Sequence, residues 1–190
     1  LLLFLFLLIL NLAAQEPQWA QIGHSFYQES EGGIALFELP NMTKTTIATA
    51  EQLTPQGASK PLAIRRFSLS DDAQKILIYS NSKRNWRYYT RGKYWVLNLR
   101  TKQLRQESKD RPESTLMFAK ISPDGKKVAY VSERNLYVED LATGKVQQLT
   151  ETGKSRKLIH GTFDWVYEEE FDCRDGFRWS PDGKQIAYWQ

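Results

Sequence analysis

The sequence predicts an all-β fold that is built from repeated units of short antiparallel strands. The first observation is a turn motif that occurs three times, at intervals of about 50 to 60 residues. The second is the composition, because the 190 residues are 41% hydrophobic and 13% aromatic. Large aromatic side chains pack well on pleated surfaces, so this composition favours strands.

The repeated turn is clearest in two copies that share the sequence Ser-Pro-Asp-Gly. Pro fixes φ in these copies and Gly supplies a positive φ, which together make a tight turn around the Asp. A short apolar strand precedes each turn and another follows it. The three copies, of which the first is divergent, begin at Ser70, Ser122 and Ser180.

A second motif alternates with the first and consists of a strand, a polar turn with Thr and a return strand. Its copies begin at Trp95 and Tyr137, and a weaker copy begins at Leu36. One unit therefore holds two hairpins, or four strands, which is typical of a β-propeller blade. We predict that residues 15–190 form roughly three to four blades of a partial β-propeller. A β-sandwich with coincidentally similar turns is the alternative.

Residues 1–14 differ from the rest of the chain, since the first ten are all apolar. The run is shorter than the ~20 residues that span a bilayer. The small residues Ala13 and Ala14 suit a cleavage point, so we predict the apolar region of a truncated signal peptide and an exported protein. A membrane signal-anchor is the alternative. Because Gln190 directly follows an apolar strand, we expect the sequence to be a fragment that is open at both ends.

Two segments interrupt the repeats. Residues 81–93 are polar and basic, and we predict a long loop between two strands of one blade. Residues 158–175 form the second interruption, in which Asp164 could cap a short helix. The three acids at 168–170 would then lie near the first turns of that helix, where the dipole favours them. We expect the flanking apolar residues to anchor the helix by burial.

Several kinds of chemistry lack their motifs in this sequence. Cys173 is the only cysteine, which excludes an internal disulfide, and its neighbour Asp172 does not favour a thiolate. The sequence has no nucleophile elbow, Cys/His metal cluster or Gly-rich phosphate loop. The net charge of +4 comes from scattered Lys and Arg residues, which we interpret as solvated and not as a nucleic-acid site. We predict no catalytic residue, metal or cofactor within these residues.

The acidic triplet Glu168, Glu169 and Glu170 has three interpretations. It could be a solvated turn, or it could bind a hard cation, although it lacks the alternating ligand spacing of a Ca²⁺ loop. It could also bind an organic ammonium group through charge-assisted hydrogen bonds. Arg87, which lies in the basic segment, could then balance the charge.

The sequence D-W-V-Y-E-E-E at 164–170, followed by R-W-S-P-D-G at 178–183 and I-A-Y at 186–188, closely resembles the dipeptidyl peptidase IV family of serine peptidases. This family belongs to the prolyl oligopeptidase group. The tripeptide Asn85-Trp86-Arg87 matches the arginine loop of the family. The resemblance covers most of residues 60–190, and the D-W-V-Y-E-E-E string is its most specific part.

This resemblance implies an eight-bladed propeller that is followed by an α/β-hydrolase domain with a Ser-Asp-His triad beyond Gln190. Glu169 and Glu170 would bind the free ammonium of a peptide substrate, and Arg87 would contact the carbonyl between its first two residues. The complete protein would release dipeptides with Pro or Ala second. Its partners would be peptides with a free N-terminus, its own hydrolase domain and a second copy of itself. A non-catalytic periplasmic propeller that binds a protein or peptide is the alternative.

Overall fold

The computed structural model describes residues 17–21, 23–85, 87–153 and 157–190. They form three four-stranded antiparallel sheets, a two-stranded sheet and one short helix. The predicted signal segment, residues 1–14, lies outside the described residues. In the described part of the chain, no helix is both long and apolar enough to cross a membrane.

Each four-stranded sheet is a meander, in which consecutive strands are neighbours. The first sheet contains β1 (Gln18–Trp19), β2 (Ser25–Ser30), β3 (Gly33–Glu38) and β4 (Thr43–Ala48). The second contains β5 (Ile64–Leu69), β6 (Lys75–Asn85), β7 (Tyr88–Asn98) and β8 (Gln103–Gln106). The third contains β9 (Met117–Ile121), β10 (Lys127–Ser132), β11 (Asn135–Asp140) and β12 (Val146–Gln148). After the helix α1 (Trp165–Glu170), β13 (Phe177–Trp179) pairs with β14 (Ile186–Tyr188) in the fourth sheet.

The repeated turns share a hydrogen-bond pattern that the Pro and Gly alone do not explain. Each turn Ser donates its hydroxyl to the Asp two residues later, at 2.5 Å in the Ser70 copy and 2.6 Å in the other two. The same hydroxyl accepts a backbone N–H from the residue five positions later, at or just before the start of the return strand. The divergent copy keeps this pattern although Ala73, with φ of 52°, stands where the other copies have Gly. Ser and Asp therefore define the turn.

The sheets pack face to face in chain order. Ile34 of the first sheet packs with Ile76 and Leu97 of the second, and Tyr94 of the second packs with Tyr130 of the third. Phe177 of the fourth sheet closes a further core cluster with residues of β10 and β11. Such face-to-face packing of consecutive meanders confirms the predicted all-β fold with propeller blades.

The segment at 81–93 is not the predicted loop, because β6 and β7 extend through it as two 11-residue strands. The Tyr79 hydroxyl donates to the carbonyls of Tyr89 and Arg91, at 3.0 and 2.9 Å, and so fastens the base of this hairpin. The register shifts between Ser80 and Lys83, where Asn81 has a positive φ. The segment is polar because much of the hairpin is exposed, and polarity alone does not exclude strand pairing.

A buried polar network joins the second sheet to the third. Arg105 donates two hydrogen bonds to Glu107, at 3.1 and 2.7 Å, while Glu139 accepts from the backbone and the hydroxyl of Ser108. The Ser108 hydroxyl also contacts the Tyr130 hydroxyl. Burial raises the pKa of Glu107 to about 7, Arg105 opposes this shift, and the nearby Glu139 adds to it.

This network predicts a dependence of stability on pH. In the folded state the pKa of Glu107 is raised to about 7, against 4.5 for an ordinary Glu. The side chain therefore keeps its proton to a higher pH in the folded state than in the unfolded state. Between these values the folded state binds more protons than the unfolded state, so its contribution to stability falls as pH rises. Glu107→Gln is expected to flatten the fall in Tm between about pH 5 and pH 8 in thermal unfolding of the complete protein. The exposed Glu151→Gln serves as the control, and equal pH slopes in both variants would contradict the assignment.

Candidate functional site

The helix α1 begins at the predicted cap. Asp164 Oδ1 accepts hydrogen bonds from the backbone N–H groups of Val166 and Tyr167, at 2.8 and 3.2 Å. The helix has only six residues, so Glu168 lies in its first turn but Glu170 is its last residue. The negative end of a helix dipole does not favour an acid. Helix stability therefore does not account for the acids at the end of α1.

The apolar residues that flank the acids do not anchor the helix as predicted. Trp165 and Phe171 are 65% and 66% exposed, and no residue of the helix is fully buried. Among the aromatic side chains of residues 165–171, the part-buried one is Tyr167. The Tyr167 ring lies 5.7 Å from the ring of Phe163 and 5.4 Å from that of Trp189, measured between centroids.

The insertion, residues 161–176, lies between β12 and β13. Its two ends meet at a narrow base beside the fourth sheet. Gly176 donates its backbone N–H to the carbonyl of Gly161 at 3.0 Å, and Gly161 donates to Trp189 at 2.9 Å. Trp189 in turn donates to Gly176 at 2.8 Å. A Cβ on Gly176 would lie only 3.0 Å from the Gly161 backbone, so the close approach favours glycine. The base thus joins both ends of the insertion by backbone hydrogen bonds.

The structure brings two of the three predicted site residues together. Arg87 Nη1 lies 2.7 Å from Glu169 Oε2, which forms an ion pair between the β6–β7 hairpin and α1. The Glu169 side chain is 14% exposed and the Arg87 side chain is 61% exposed. Glu170 lies next to this pair in sequence, with its side chain at the surface. Trp86, which belongs to the matched arginine motif, lies outside the described residues.

The second carboxylate oxygen of Glu169 is buried. Glu169 Oε1 accepts no hydrogen bond from any described residue. A buried acceptor without a donor is unfavourable by about 1–3 kcal/mol. The ion pair with Arg87 therefore leaves one acceptor of the same carboxylate unsatisfied.

No sequence pattern singles out Arg174, whose positive charge acts on Glu168. Burial raises the pKa of Glu168, the positive charge of Arg174 opposes this shift, and Glu169 adds to it. The Arg174 guanidinium lies 3.4 Å from the centre of the Tyr88 ring. A basic residue shortly after three acids is a weak signal of charge compensation, but the ring contact has no sequence signature. Glu168 and Glu169 thus face different cations.

A metal site receives no support from the geometry. In residues 17–21, 23–85, 87–153 and 157–190, no group of three or more His, Cys, Asp or Glu side chains is arranged to hold a metal ion. Of the three interpretations of the acidic triplet, the solvated turn does not fit the buried Glu169. The ion pair with Arg87 and the unpartnered Oε1 are the observations on which the ammonium interpretation rests.

The packed meanders and the Arg87–Glu169 pair define a propeller region with an acidic helix beside a basic hairpin. The family model for the dipeptidyl peptidase IV (DPP IV) N-terminal region matches residues 70–190. The chain belongs to this family, which confirms the resemblance seen in the sequence.

Two curated relatives share the name dipeptidyl-aminopeptidase B. The chain is 32% identical over 148 residues to "Probable dipeptidyl-aminopeptidase B" of Emericella nidulans, covering 77% of this chain and 15% of that protein. It is 35% identical over 120 residues to the protein of the same description from Pyrenophora teres f. teres, covering 63% of this chain and 13% of the relative. The chain therefore spans about a seventh of the length of these relatives.

A solved structure shows the same fold. The crystal structure of Porphyromonas gingivalis dipeptidyl peptidase 4 superposes with a TM-score of 0.78 at 22% sequence identity. The match covers 89% of this chain and 24% of that chain. The chain is thus part of a dipeptidyl peptidase IV-type N-terminal propeller region.

Proposed function

We propose that α1 and the β6–β7 hairpin bind the free N-terminal ammonium group of a peptide substrate in the complete protein. Glu169 and Glu170 accept its hydrogen bonds, and Arg87 contacts the first carbonyl of the substrate. A C-terminal serine hydrolase domain then releases the N-terminal dipeptide, with Pro or Ala second. The names of the curated relatives, which are dipeptidyl aminopeptidases, support this reaction class.

The observation that carries the proposal is the state of the Glu169 carboxylate. Its Oε2 is paired with Arg87 at 2.7 Å, whereas its buried Oε1 accepts nothing from the described residues. An ammonium group has three donors and no acceptor, so it satisfies that oxygen without placing a lone pair against it. Its positive charge also offsets the neighbouring acids.

The site acts by positioning the substrate and not by proton transfer. An amine held at α1 places the second peptide bond of the substrate at a fixed distance from the acids. The site therefore determines how many residues precede the cleaved bond. Fixing a reacting bond in this way lowers the entropic barrier to its cleavage. The protein is exported, carries its hydrolase domain after the propeller and forms a homodimer in this proposal.

A substrate with a blocked amine tests the proposal. In the complete protein, a dipeptide-amide with a free amine is expected to be cleaved efficiently. Its N-acetylated counterpart is expected to lose about 2 kcal/mol or more, because it leaves the buried Oε1 of the charged Glu169 carboxylate without a donor.

The expected difference in kcat/KM is therefore about 30-fold or more. A dipeptide-amide with an N-methylated, still charged amine is the control, since it keeps the ammonium. Equal cleavage of the free and the acetylated substrate would contradict the ammonium site. Binding of the free peptide without any cleavage would favour the non-catalytic propeller.

A further inference from the structure

We infer that Arg174 is a positioning residue that holds the tip of the β6–β7 hairpin against the end of α1. The hairpin tip is defined here as residues 83–91. By fixing this tip, Arg174 sets the place of Arg87 beside Glu169. Its kinetic consequence rests on the proposed function, whereas its structural consequence does not.

Strand pairing does not fix the distance between Arg87 and Glu169. Arg87 lies at the turn between β6 and β7, which are paired within the second sheet. Glu169 lies in the insertion that leads to the fourth sheet. The third sheet separates the two in the chain, so side chains must hold the hairpin and the helix together.

Arg174 contacts the hairpin through the residue that follows Arg87. Its guanidinium carbon lies 3.4 Å from the centre of the Tyr88 ring, and its side chain is 16% exposed. A cation over an aromatic face is attracted by the ring quadrupole, and the attraction grows as water is excluded. Since Tyr88 begins β7 and pairs with Asn85, this contact holds both strands of the tip.

Arg174 is connected to the end of α1 through residues 172 and 173, which follow the helix. Its Nη1 lies 2.5 Å from Asp172 Oδ1, and its charge acts on Glu168. The backbone N–H of Cys173 donates to the carbonyl of Tyr167 at 3.2 Å, which ties the segment to the last turn of α1. One side chain thus joins the hairpin tip to the segment that directly follows α1.

The contact depends on the flat face of the guanidinium. Arg174 Nε and Nη2 are buried, and no described residue accepts from them. The ion pair of Nη1 with Asp172 and the stacking on Tyr88 therefore set the orientation of the group. A lysine has no planar face to stack, so it is not a conservative replacement at such a site.

Hydrogen exchange in the complete protein tests the structural claim without reference to activity. Arg174→Gln is expected to speed amide exchange in peptides that cover residues 83–91, because the tip loses its contact with the helix. Arg178→Gln is the matched control, since Arg178 is an exposed arginine that pairs with Asp175 at 3.2 Å and does not contact the hairpin tip. Unchanged exchange in Arg174→Gln, or the same increase in Arg178→Gln, overturns the inference.

Steady-state kinetics on a dipeptide-amide test the route through Arg87. Arg174→Gln is expected to lower kcat/KM about 10-fold, mainly by raising KM, because a misplaced binding group weakens capture. Arg174→Lys is not expected to restore it, and Arg178→Gln leaves it unchanged. Added to Arg87→Ala, Arg174→Gln is expected to have no further effect, as residues that act through one contact are not additive. Additive losses overturn the route through Arg87. If Arg87→Ala alone has a normal kcat/KM, the proposed role of Arg87 fails, while hydrogen exchange still decides the role of Arg174.

Discussion

In the complete protein, Glu169→Gln is expected to lower kcat/KM for a dipeptide-amide by about 10-fold or more, since hydrogen bonds to a charged group contribute about 1.5–3 kcal/mol. The amide keeps the shape of the side chain but removes the charge that faces both Arg87 and the ammonium. It also leaves Arg87 without its partner at 2.7 Å. Initial-rate kinetics on the free-amine substrate measure the loss.

The other acids provide graded comparisons for this variant. Glu170→Gln is expected to lower kcat/KM by a smaller factor, because the Glu170 side chain is exposed and water screens its charge. Glu31→Gln is the distant control, since Glu31 lies in the turn between β2 and β3 and pairs with Lys44. Normal turnover by both the Glu169 and the Glu170 variant would remove the ammonium site.

Phe177→Ala is expected to have the largest effect on stability, at about 3–5 kcal/mol. Phe177 is 1% exposed and packs with Val131 and Leu136 of the third sheet. The Lys120 ammonium also lies 3.7 Å from the centre of its ring. Truncation would leave a cavity at the junction of the third and fourth sheets, directly beside the base of the insertion.

Denaturant unfolding of the complete protein measures this loss, provided that the transition which includes the propeller is resolved. Phe171→Ala is the matched control, because Phe171 belongs to the same insertion but is 66% exposed. Its expected loss is below about 1 kcal/mol, as for most surface substitutions. A loss of similar size in both variants would show that the Phe177 cluster is not a close-packed core.

The repeats could be predicted from the sequence because their cause is local. Ser122 and Asp124 lie two residues apart and form the hydrogen bond of the turn by themselves. The strand pairs that these turns connect then follow from adjacent apolar runs. The hairpin at 81–93 was missed because its strands carry few buried residues, so its alternation of apolar and polar side chains is weak.

The candidate site could be predicted only in part. The cap at Asp164 is local and was predicted from the residues, whereas the roles of Glu169 and Arg87 came from the family resemblance. Their ion pair joins residues that are far apart in the chain, and no periodicity encodes such a distance. Arg174 was missed for the same reason, since its contact with Tyr88 depends on how the insertion and the β6–β7 hairpin meet in space.

The narrow base of the insertion separates the helix α1 from the strands of the fourth sheet. Because Gly161, Gly176 and Trp189 close the insertion by backbone hydrogen bonds, the residues between its ends can change in number without altering the strands β13 and β14. In the proposed function, the reach of α1 toward a substrate can therefore differ without a change in β13 and β14.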